Sequence, residues 1–148
     1  MTAARAPIVI DTNVVLDLFI FADTEARPLR ARLDAQHFDW LATASMRTEL
    51  ERVLAYAHLL PRMAYYGLTA QDVLGAFDRH ARIVEAAPPV PVVCKDGDDQ
   101  KFIDLAAQHR ALLVSKDKAV LKLRRRLEKI GVNTAPALRL LPGYAPAD

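Results

Sequence analysis

The stretch PIVID at residues 7–11 decides the fold. It is a short run of β-branched residues that begins with a proline and ends with an acid, without alternation of apolar and polar side chains. Such a run is typical of a strand buried between other layers of structure. The sequence therefore predicts a buried first strand, with Asp11 at its carboxyl end.

Outward from this strand, extended and helical segments alternate along the chain. Pro28 suits a first helical turn, Ser45 suits a helix N-cap, and Thr69 with Asp72 resembles a capping box. The predicted strands are 7–11, 39–44, 90–93, 111–115 and 131–135. The predicted helices are 13–22, 27–35, 46–57, 69–85, 100–108 and 118–130.

This alternation predicts an α/β fold with three layers, α/β/α, around a mostly parallel central sheet of about five strands. The chain has 148 residues, of which 52% are hydrophobic, so we expect a single domain over 1–148. One cysteine, Cys94, excludes an internal disulfide and a thiol zinc site. A signal peptide and a long apolar run are both missing from the sequence, so we expect a cytoplasmic protein without membrane contact.

Four acids are predicted to meet at one edge of this sheet. Asp11 ends the first strand, Glu49 lies in the opening turn of the helix after the second, and Asp99 begins the helix after the third. From Asp99, a helix descends about 16 Å at about 1.5 Å per residue, and a strand at about 3.3 Å per residue climbs back to Asp117. Because the carboxyl ends of parallel strands open onto one edge, we expect all four carboxylates there.

Clustered carboxylates repel one another, and a divalent cation relieves that repulsion. An all-oxygen set of ligands selects a hard ion, so the sequence predicts Mg²⁺ or Mn²⁺ as cofactor. Such an ion activates water and polarises a phosphoryl oxygen, which is the chemistry of phosphodiester hydrolysis. The expected activity is therefore that of a metal-dependent nuclease.

Four segments, in this order, resemble the PIN-domain family of nucleases: IVIDTNV, SMRTELERVL, CKDGDDQKFIDLA and LLVSKDKAVL. The similarity covers nearly the whole chain and is greatest to the bacterial branch described as toxin components of toxin–antitoxin pairs. The resemblance implies an endoribonuclease that cuts single-stranded RNA. It also implies a homodimer and a cognate antitoxin as partners.

The resemblance also implies roles for single residues. It makes Asp11, Glu49, Asp99 and Asp117 the catalytic acids and metal ligands, and Asn13 and Ser115 the polar residues that support them. Asp96 has two interpretations, as a further metal ligand or as a residue that shapes the KDGDD turn. This chain departs from the branch at Lys116, where a small residue usually precedes the fourth acid, and the turn before strand four is one residue short.

The basic segment 116–129 has two interpretations. Its cations can form a solvated helix face, because Val120, Leu123 and Leu127 give the helix an apolar stripe. They can also bind RNA phosphates, because strand four brings the start of this helix to the acidic edge. The residues assigned to RNA are Lys116, Lys118, Lys122, Arg125 and Arg126.

Other functions compete with the nuclease as interpretations of this sequence. A single acid after a strand is more often a helix cap, as Asp98 or Asp99 would be alone. A phosphoacceptor signalling domain needs paired acids after the first strand, where this chain has Thr12 and Asn13. A dinucleotide enzyme needs a glycine-rich turn there. The alternative left open is a catalytically inactive PIN-like module that binds RNA or protein.

Overall fold

The structure is a computed structural model and describes residues 5–144. Its centre is a five-stranded sheet in which every neighbouring pair of strands is parallel. The strands are β1 Ala6–Ile10, β2 Phe38–Ala42, β3 Ala81–Ile83, β4 Leu112–Val114 and β5 Thr134–Ala135. They lie in the order β3-β2-β1-β4-β5, with helices packed around them. The predicted three-layer α/β/α fold is confirmed.

Eight α-helices are described within residues 5–144. They are α1 Thr12–Leu16, α2 Arg27–Asp34, α3 Ala44–Val53, α4 Leu60–Tyr65, α5 Ala70–His80, α6 Gln100–His109, α7 Lys118–Leu121 and α8 Arg124–Lys129. A π-helical turn, Asp17–Phe21, continues α1, and 3₁₀ turns occur at Thr24–Ala26, Gly97–Asp99 and Leu138–Leu140. In the described part of the chain, no helix is both long and apolar enough to cross a membrane.

The core lies on β1 and its neighbours. Ile8, Val9 and Ile10 are fully buried or nearly so, as the unbroken apolar pattern of 7–11 predicts for a strand covered on both faces. Ile8 is in register with Trp40 of β2 on one side and with Leu112 of β4 on the other. Trp40 is buried in the aromatic core, where it stacks with Phe19 and meets Phe77 edge to face.

The prediction of the third strand at 90–93 is wrong. The third strand is β3, which follows α5 directly, so the predicted helix to residue 85 ends at His80. Val84 continues the pairing by donating its N–H to the carbonyl of Ala42, at 2.8 Å. The three prolines of 88–91 lack N–H groups for a sheet ladder, which explains why an apolar run is not a strand here.

Instead of a neighbouring strand, side chains of α6 form hydrogen bonds with the backbone groups of 90–94. The Gln100 side chain accepts from the N–H of Cys94 at 2.6 Å and donates to the carbonyl of Val92 at 2.9 Å. Asp104 accepts from the N–H of Val90 at 3.2 Å. The segment is therefore fastened to α6 just before the acidic turn.

Two helix boundaries also differ from the predictions. Thr43, and not Ser45, is the N-cap of α3, because its hydroxyl accepts from the N–H of Met46 at 3.3 Å. Glu49 therefore lies in the second turn of α3. The predicted helix over 118–130 is two helices, α7 and α8, which break at Leu123 where α8 turns onto β5. The capping box of Thr69 is present as predicted.

Candidate metal centre

The order in which the chain adds strands to the sheet reverses between the neighbouring strands β1 and β4. From β1 the chain moves outward through β2 and β3, and it then returns to β4 and β5 on the other side. In open α/β sheets, ligands bind beyond the carboxyl ends of the strands at such a reversal. Asp11 directly follows β1, and Ser115 directly follows β4. The N–H of Asp11 donates to the carbonyl of Val114 at 2.9 Å, so these strand ends are joined.

Asp11 is buried at this edge, with 3% of its surface exposed. The Ser115 hydroxyl donates to its Oδ2 at 2.7 Å, and the backbone N–H of Asn13 lies near its carboxylate. Burial raises the pKa of Asp11, the contacts with Ser115 and Asn13 oppose that rise, and the charges of Asp117 and Glu49 add to it. Ser115 therefore supports Asp11 with its side chain, whereas no hydrogen bond between the exposed Asn13 side chain and Asp11 is present within residues 5–144.

Three further acids lie close together beside Asp11. Asp96, Asp99 and Asp117 each offer a carboxylate oxygen, and these oxygens lie within 4.8 Å of one another. Asp99 is buried at the start of α6, Asp117 is half-buried at the start of α7, and Asp96 is exposed before the 3₁₀ turn. We call Asp11 and these three residues the acidic cluster. The structure thus places a carboxylate oxygen of Asp96 close enough to those of Asp99 and Asp117 to share a metal ion with them.

Two members of the acidic cluster also form caps. Asp117 Oδ1 accepts from the N–H of Ala119 at 2.8 Å, and Asp96 Oδ1 accepts from the N–H of Asp98 at 3.0 Å. Each cap uses one oxygen, which leaves the other carboxylate oxygen for a ligand. The cap interpretation of an acid after a strand therefore applies to Asp96 and Asp117, without excluding a metal.

Asp99 differs, because its Oδ2 atom is buried without a hydrogen-bond partner. Its pKa is raised to about 8, foremost by burial, then by a hydrogen bond with Asp117 and by the charges of Asp11, Asp117 and Asp96. A buried, unpartnered oxygen is costly and needs an explanation. A divalent cation would satisfy this oxygen and neutralise the carboxylates that raise the pKa. The acidic cluster therefore fits a divalent metal ion.

Glu49 lies at the same edge but is bound on both oxygens. The Thr12 hydroxyl donates to Glu49 Oε1 at 2.6 Å, and the Lys101 ammonium group pairs with Oε2. Lys101 also donates to the carbonyl of Asp98 at 2.6 Å, and so it links Glu49 to the acidic turn. Glu49 is oriented by this pair, and the positive charge of Lys101 lies beside the acidic cluster.

Thr12 and Lys101 were not predicted from the sequence. Lys101 carries a signal that was available, since a lysine in the first turn of a helix opposes the helix dipole and so needs a separate reason. The reason is the carboxylate of Glu49, which lies 52 residues earlier in the chain. Thr12 has no such signal, because its partner is decided by the packing of α1 against α3.

The basic residues predicted to bind RNA divide into two groups. Lys116 is exposed, but its ammonium group pairs with the buried Asp17, with 2.5 Å between Nζ and Oδ2. The other four form no ion pair within residues 5–144 and lie along α7, α8 and the turn between them. They are Lys118, Lys122, Arg125 and Arg126, which are also exposed.

Three comparisons place the chain among known proteins. A family model described as PIN domain matches residues 7–119. An uncharacterized protein of Methanocaldococcus jannaschii is 25% identical over 142 residues, which cover 90% of this chain and 84% of that protein. A PilT N-terminus domain protein of the archaeon Sulfolobus solfataricus matches in structure with a TM-score of 0.47 and 18% identity, over 87% of this chain and 85% of that one.

The PIN domain is generally that of a metal-dependent nuclease. Its members usually use a divalent metal, which agrees with the unpartnered oxygen and the clustered carboxylates described above. The matched region contains every acid of the acidic cluster. The match to the PIN-domain model, residues 7–119, spans well over half of the chain, and the chain therefore belongs to the PIN-domain family.

Proposed function

We propose that the protein is an endoribonuclease that hydrolyses single-stranded RNA with Mg²⁺ or Mn²⁺ as cofactor. The observation that carries this proposal is the buried, unpartnered Oδ2 of Asp99 among the carboxylates of the acidic cluster. Asp11, Asp96, Asp99 and Asp117 are the residues that would hold the ion. A bound divalent ion supplies Lewis-acid activation of the phosphodiester and of the attacking water.

The residues of the chain have separate tasks in this reaction. Ser115 holds one oxygen of Asp11 through its hydroxyl, which directs the other oxygen toward the acidic cluster. Gln100 and Asp104 fasten the segment that leads into the acidic turn, and so they hold Asp96 and Asp99 in place. Such supporting contacts keep ligands oriented before the substrate arrives.

Glu49 and Lys101 form an oriented ion pair beside the acidic cluster. Because Lys101 neutralises Glu49, the negative charge of the site is concentrated on the other carboxylates. The Lys101 ammonium group is also in a position to attract the phosphate of an approaching RNA strand, since ammonium groups bind phosphates as point charges. We therefore assign Glu49 the role of orienting Lys101, and its roles as a catalytic acid and metal ligand stay predictions.

The proposal predicts cleavage that depends on metal. A labelled single-stranded RNA should be cut in the presence of Mg²⁺ or Mn²⁺, should stay intact with EDTA, and should be cut again when metal is restored, because the carboxylates that residues 5–144 place at this edge need a metal ion to activate water. Gel analysis of the products measures this. An Asp99→Asn preparation purified in the same way controls for a contaminating nuclease. Undiminished cleavage after chelation and dialysis would contradict the mechanism.

The basic residues give a second prediction. Replacing Arg124, Arg125 and Arg126 with Gln should weaken RNA binding and flatten its dependence on salt, because each lost phosphate contact releases about one counterion fewer. Fluorescence anisotropy with a labelled RNA at several salt concentrations measures the slope. Arg32, Arg52 and Arg62, exposed elsewhere on the protein, provide the matched control when replaced with Gln. A triple variant that keeps the slope of the unaltered protein would make α8 a solvated face.

The inactive PIN-like module is the competing function. It predicts RNA or protein binding that survives EDTA, without any cleavage in Mg²⁺ or Mn²⁺. The acidic cluster favours the nuclease, because clustered carboxylates with a buried, unpartnered oxygen fit a metal ion, and carboxylates with raised pKa values are concentrated at active sites. The cleavage assay above separates the two.

The partners and the toxin role stay predictions that rest on the resemblance. Exposed apolar side chains lie on and beside α4, in the region from which we expect a homodimer to form; they are Tyr56, Leu60, Tyr65 and Tyr66. A cognate antitoxin would make the protein the toxin of a toxin–antitoxin pair. Inspection of the adjacent reading frames is the most direct test of that role.

A further inference from the structure

A cavity of about 260 Å³ opens beside the acidic cluster, at the carboxyl end of β4 and β5. Its walls are largely apolar and include Val14 of α1, Leu29 of α2, Val114 of β4, and Ala137 and Leu138 after β5. We call it the side pocket. Pockets for drug-sized ligands have volumes of roughly 300–1,000 Å³. The side pocket is therefore of a size for one small, flat group.

Residues that line the side pocket are adjacent to residues of the acidic cluster. The N–H of Val14 donates to the carbonyl of Asp11 at 3.0 Å, so this wall begins one helical turn from a cluster acid. Lys116, which also lines the side pocket, stands in the chain between Ser115 and Asp117. A strand whose phosphate lies at the acidic cluster therefore has its neighbouring base within reach of the side pocket.

The rim of the side pocket carries two ion pairs. Lys116 pairs with Asp17, whose side chain is only 11% exposed. Arg139 binds Glu25 through two hydrogen bonds of 2.7 and 2.8 Å. Asp23 adds a third acid to the rim, so acids outnumber cations there by three to two. Such a rim repels a phosphate group and accepts N–H donors.

We propose that the side pocket binds one nucleobase of the RNA substrate and prefers a base with an exocyclic amino group. This inference rests on the proposed ribonuclease function. The apolar walls suit the faces of a base, and the adjacent Asp17 and Lys116 offer an acceptor and a donor to its edge. Guanine, adenine and cytosine present an amino group to Asp17. In uracil the single ring N–H lies between two carbonyl oxygens, which the acids of the rim repel.

The test measures base binding without cleavage. Nucleoside 5′-monophosphates are titrated into metal-free protein in EDTA while the methyl NMR signals of Val14, Leu29 and Leu138 are followed. Those signals should shift and saturate with GMP, AMP or CMP, and binding of UMP should be at least about ten-fold weaker, as a lost hydrogen bond to a charged group implies. Leu41 and Leu105, buried away from the side pocket, are the control signals. Ribose 5-phosphate is the control ligand without a base.

Two variants make the test specific. Ala137→Leu fills the side pocket and should abolish the shifts, while Asp17→Asn leaves its shape and should remove the preference over UMP; the methyl spectrum itself shows whether each variant is folded. Equal shifts with ribose 5-phosphate, or none with any nucleotide, would overturn the inference. A protein that cuts RNA but shows no shifts would contradict the side pocket alone. A protein that binds GMP, AMP or CMP as described but cuts no RNA would contradict the proposed function and support the side pocket.

Discussion

Asp99→Asn is expected to abolish measurable RNA cleavage, whereas Asp96→Asn is expected to leave weaker activity. Asp99 is buried with one oxygen unpartnered, so an amide there removes both a charge and a ligand atom from the centre of the acidic cluster. Lewis-acid stabilisation is worth several kcal/mol, and each 1.36 kcal/mol corresponds to about ten-fold in rate. The expected loss is therefore on the order of 10³-fold or more.

Asp96 is exposed, and its Oδ1 already caps the 3₁₀ turn by accepting from the N–H of Asp98. Asparagine keeps that acceptor and removes only the charge. The two variants therefore carry the same chemical change, one at an exposed position and the other at a buried one. Loss of such outlying support for a metal site typically costs about 10–100-fold in metal affinity or activity. We expect higher Mg²⁺ or Mn²⁺ concentrations to restore much of the rate of this variant.

Initial cleavage rates over a range of metal concentrations measure the contrast. Thermal unfolding in EDTA shows that each variant is folded before the rates are compared. Equal loss in both variants, without recovery at high metal concentration, would mean that Asp96 binds the ion as directly as Asp99 does. That result would agree with the 4.8 Å limit on the distances between oxygens of the three acids. It would contradict our expectation that the buried Asp99 contributes more to metal binding than the exposed Asp96.

The second large effect concerns stability and pH. The folded protein holds a proton on Asp99 up to a pKa of about 8, whereas the unfolded chain releases it near 3.8. Between these values the folded state binds more protons, so the free energy of unfolding of the metal-free protein should fall as the pH rises. The contribution is fully present below the unfolded pKa and is lost as the pH passes through about 8. The raised pKa of Asp11 acts in the same direction.

Other carboxylates act in the opposite direction at lower pH. Hydrogen bonds from Arg82 and Arg47 hold the pKa values of Asp39 and Asp78 below their usual range, so their contribution to stability is lost as the medium becomes acidic. The window for Asp99 is therefore about pH 5.5 to 8.5, where Asp39 and Asp78 stay ionised.

Urea unfolding in EDTA across this window, for the unaltered protein and Asp99→Asn, measures the effect. At about 1.4 kcal/mol per pKa unit, we expect the unaltered protein to lose a few kcal/mol across the window and Asp99→Asn to lose much less. Added Mg²⁺ should also remove the decline, because an ion bound only to the folded state stabilises it by mass action. Parallel pH slopes for the two proteins would show that the proton is not held on Asp99.

Part of this protein could be predicted from the sequence alone, since the relevant signals are local. The apolar run at 7–11, the capping box at Thr69 and the periodic helix over 100–108 follow from short-range steric and hydrogen-bonding preferences, and together they led to the parallel α/β sheet. The position of acids at strand ends is local as well. For that reason the sequence predicted that Asp11, Asp99 and Asp117 would share one edge.

Contacts between distant residues had to await the tertiary structure. The apolar segment 90–93 has the local pattern of a strand, but Gln100 and Asp104 satisfy its backbone groups, and the edge of the sheet is instead occupied by β3. The pairs of Glu49 with Lys101 and of Asp17 with Lys116 join residues that lie 52 and 99 positions apart in the chain. Hydrophobic periodicity carries no information about which charged side chains meet, because that depends on how the packed elements place their ends. The sequence therefore determined the layers and the edge of the site, and packing alone decided which carboxylates are paired and which are left for a ligand.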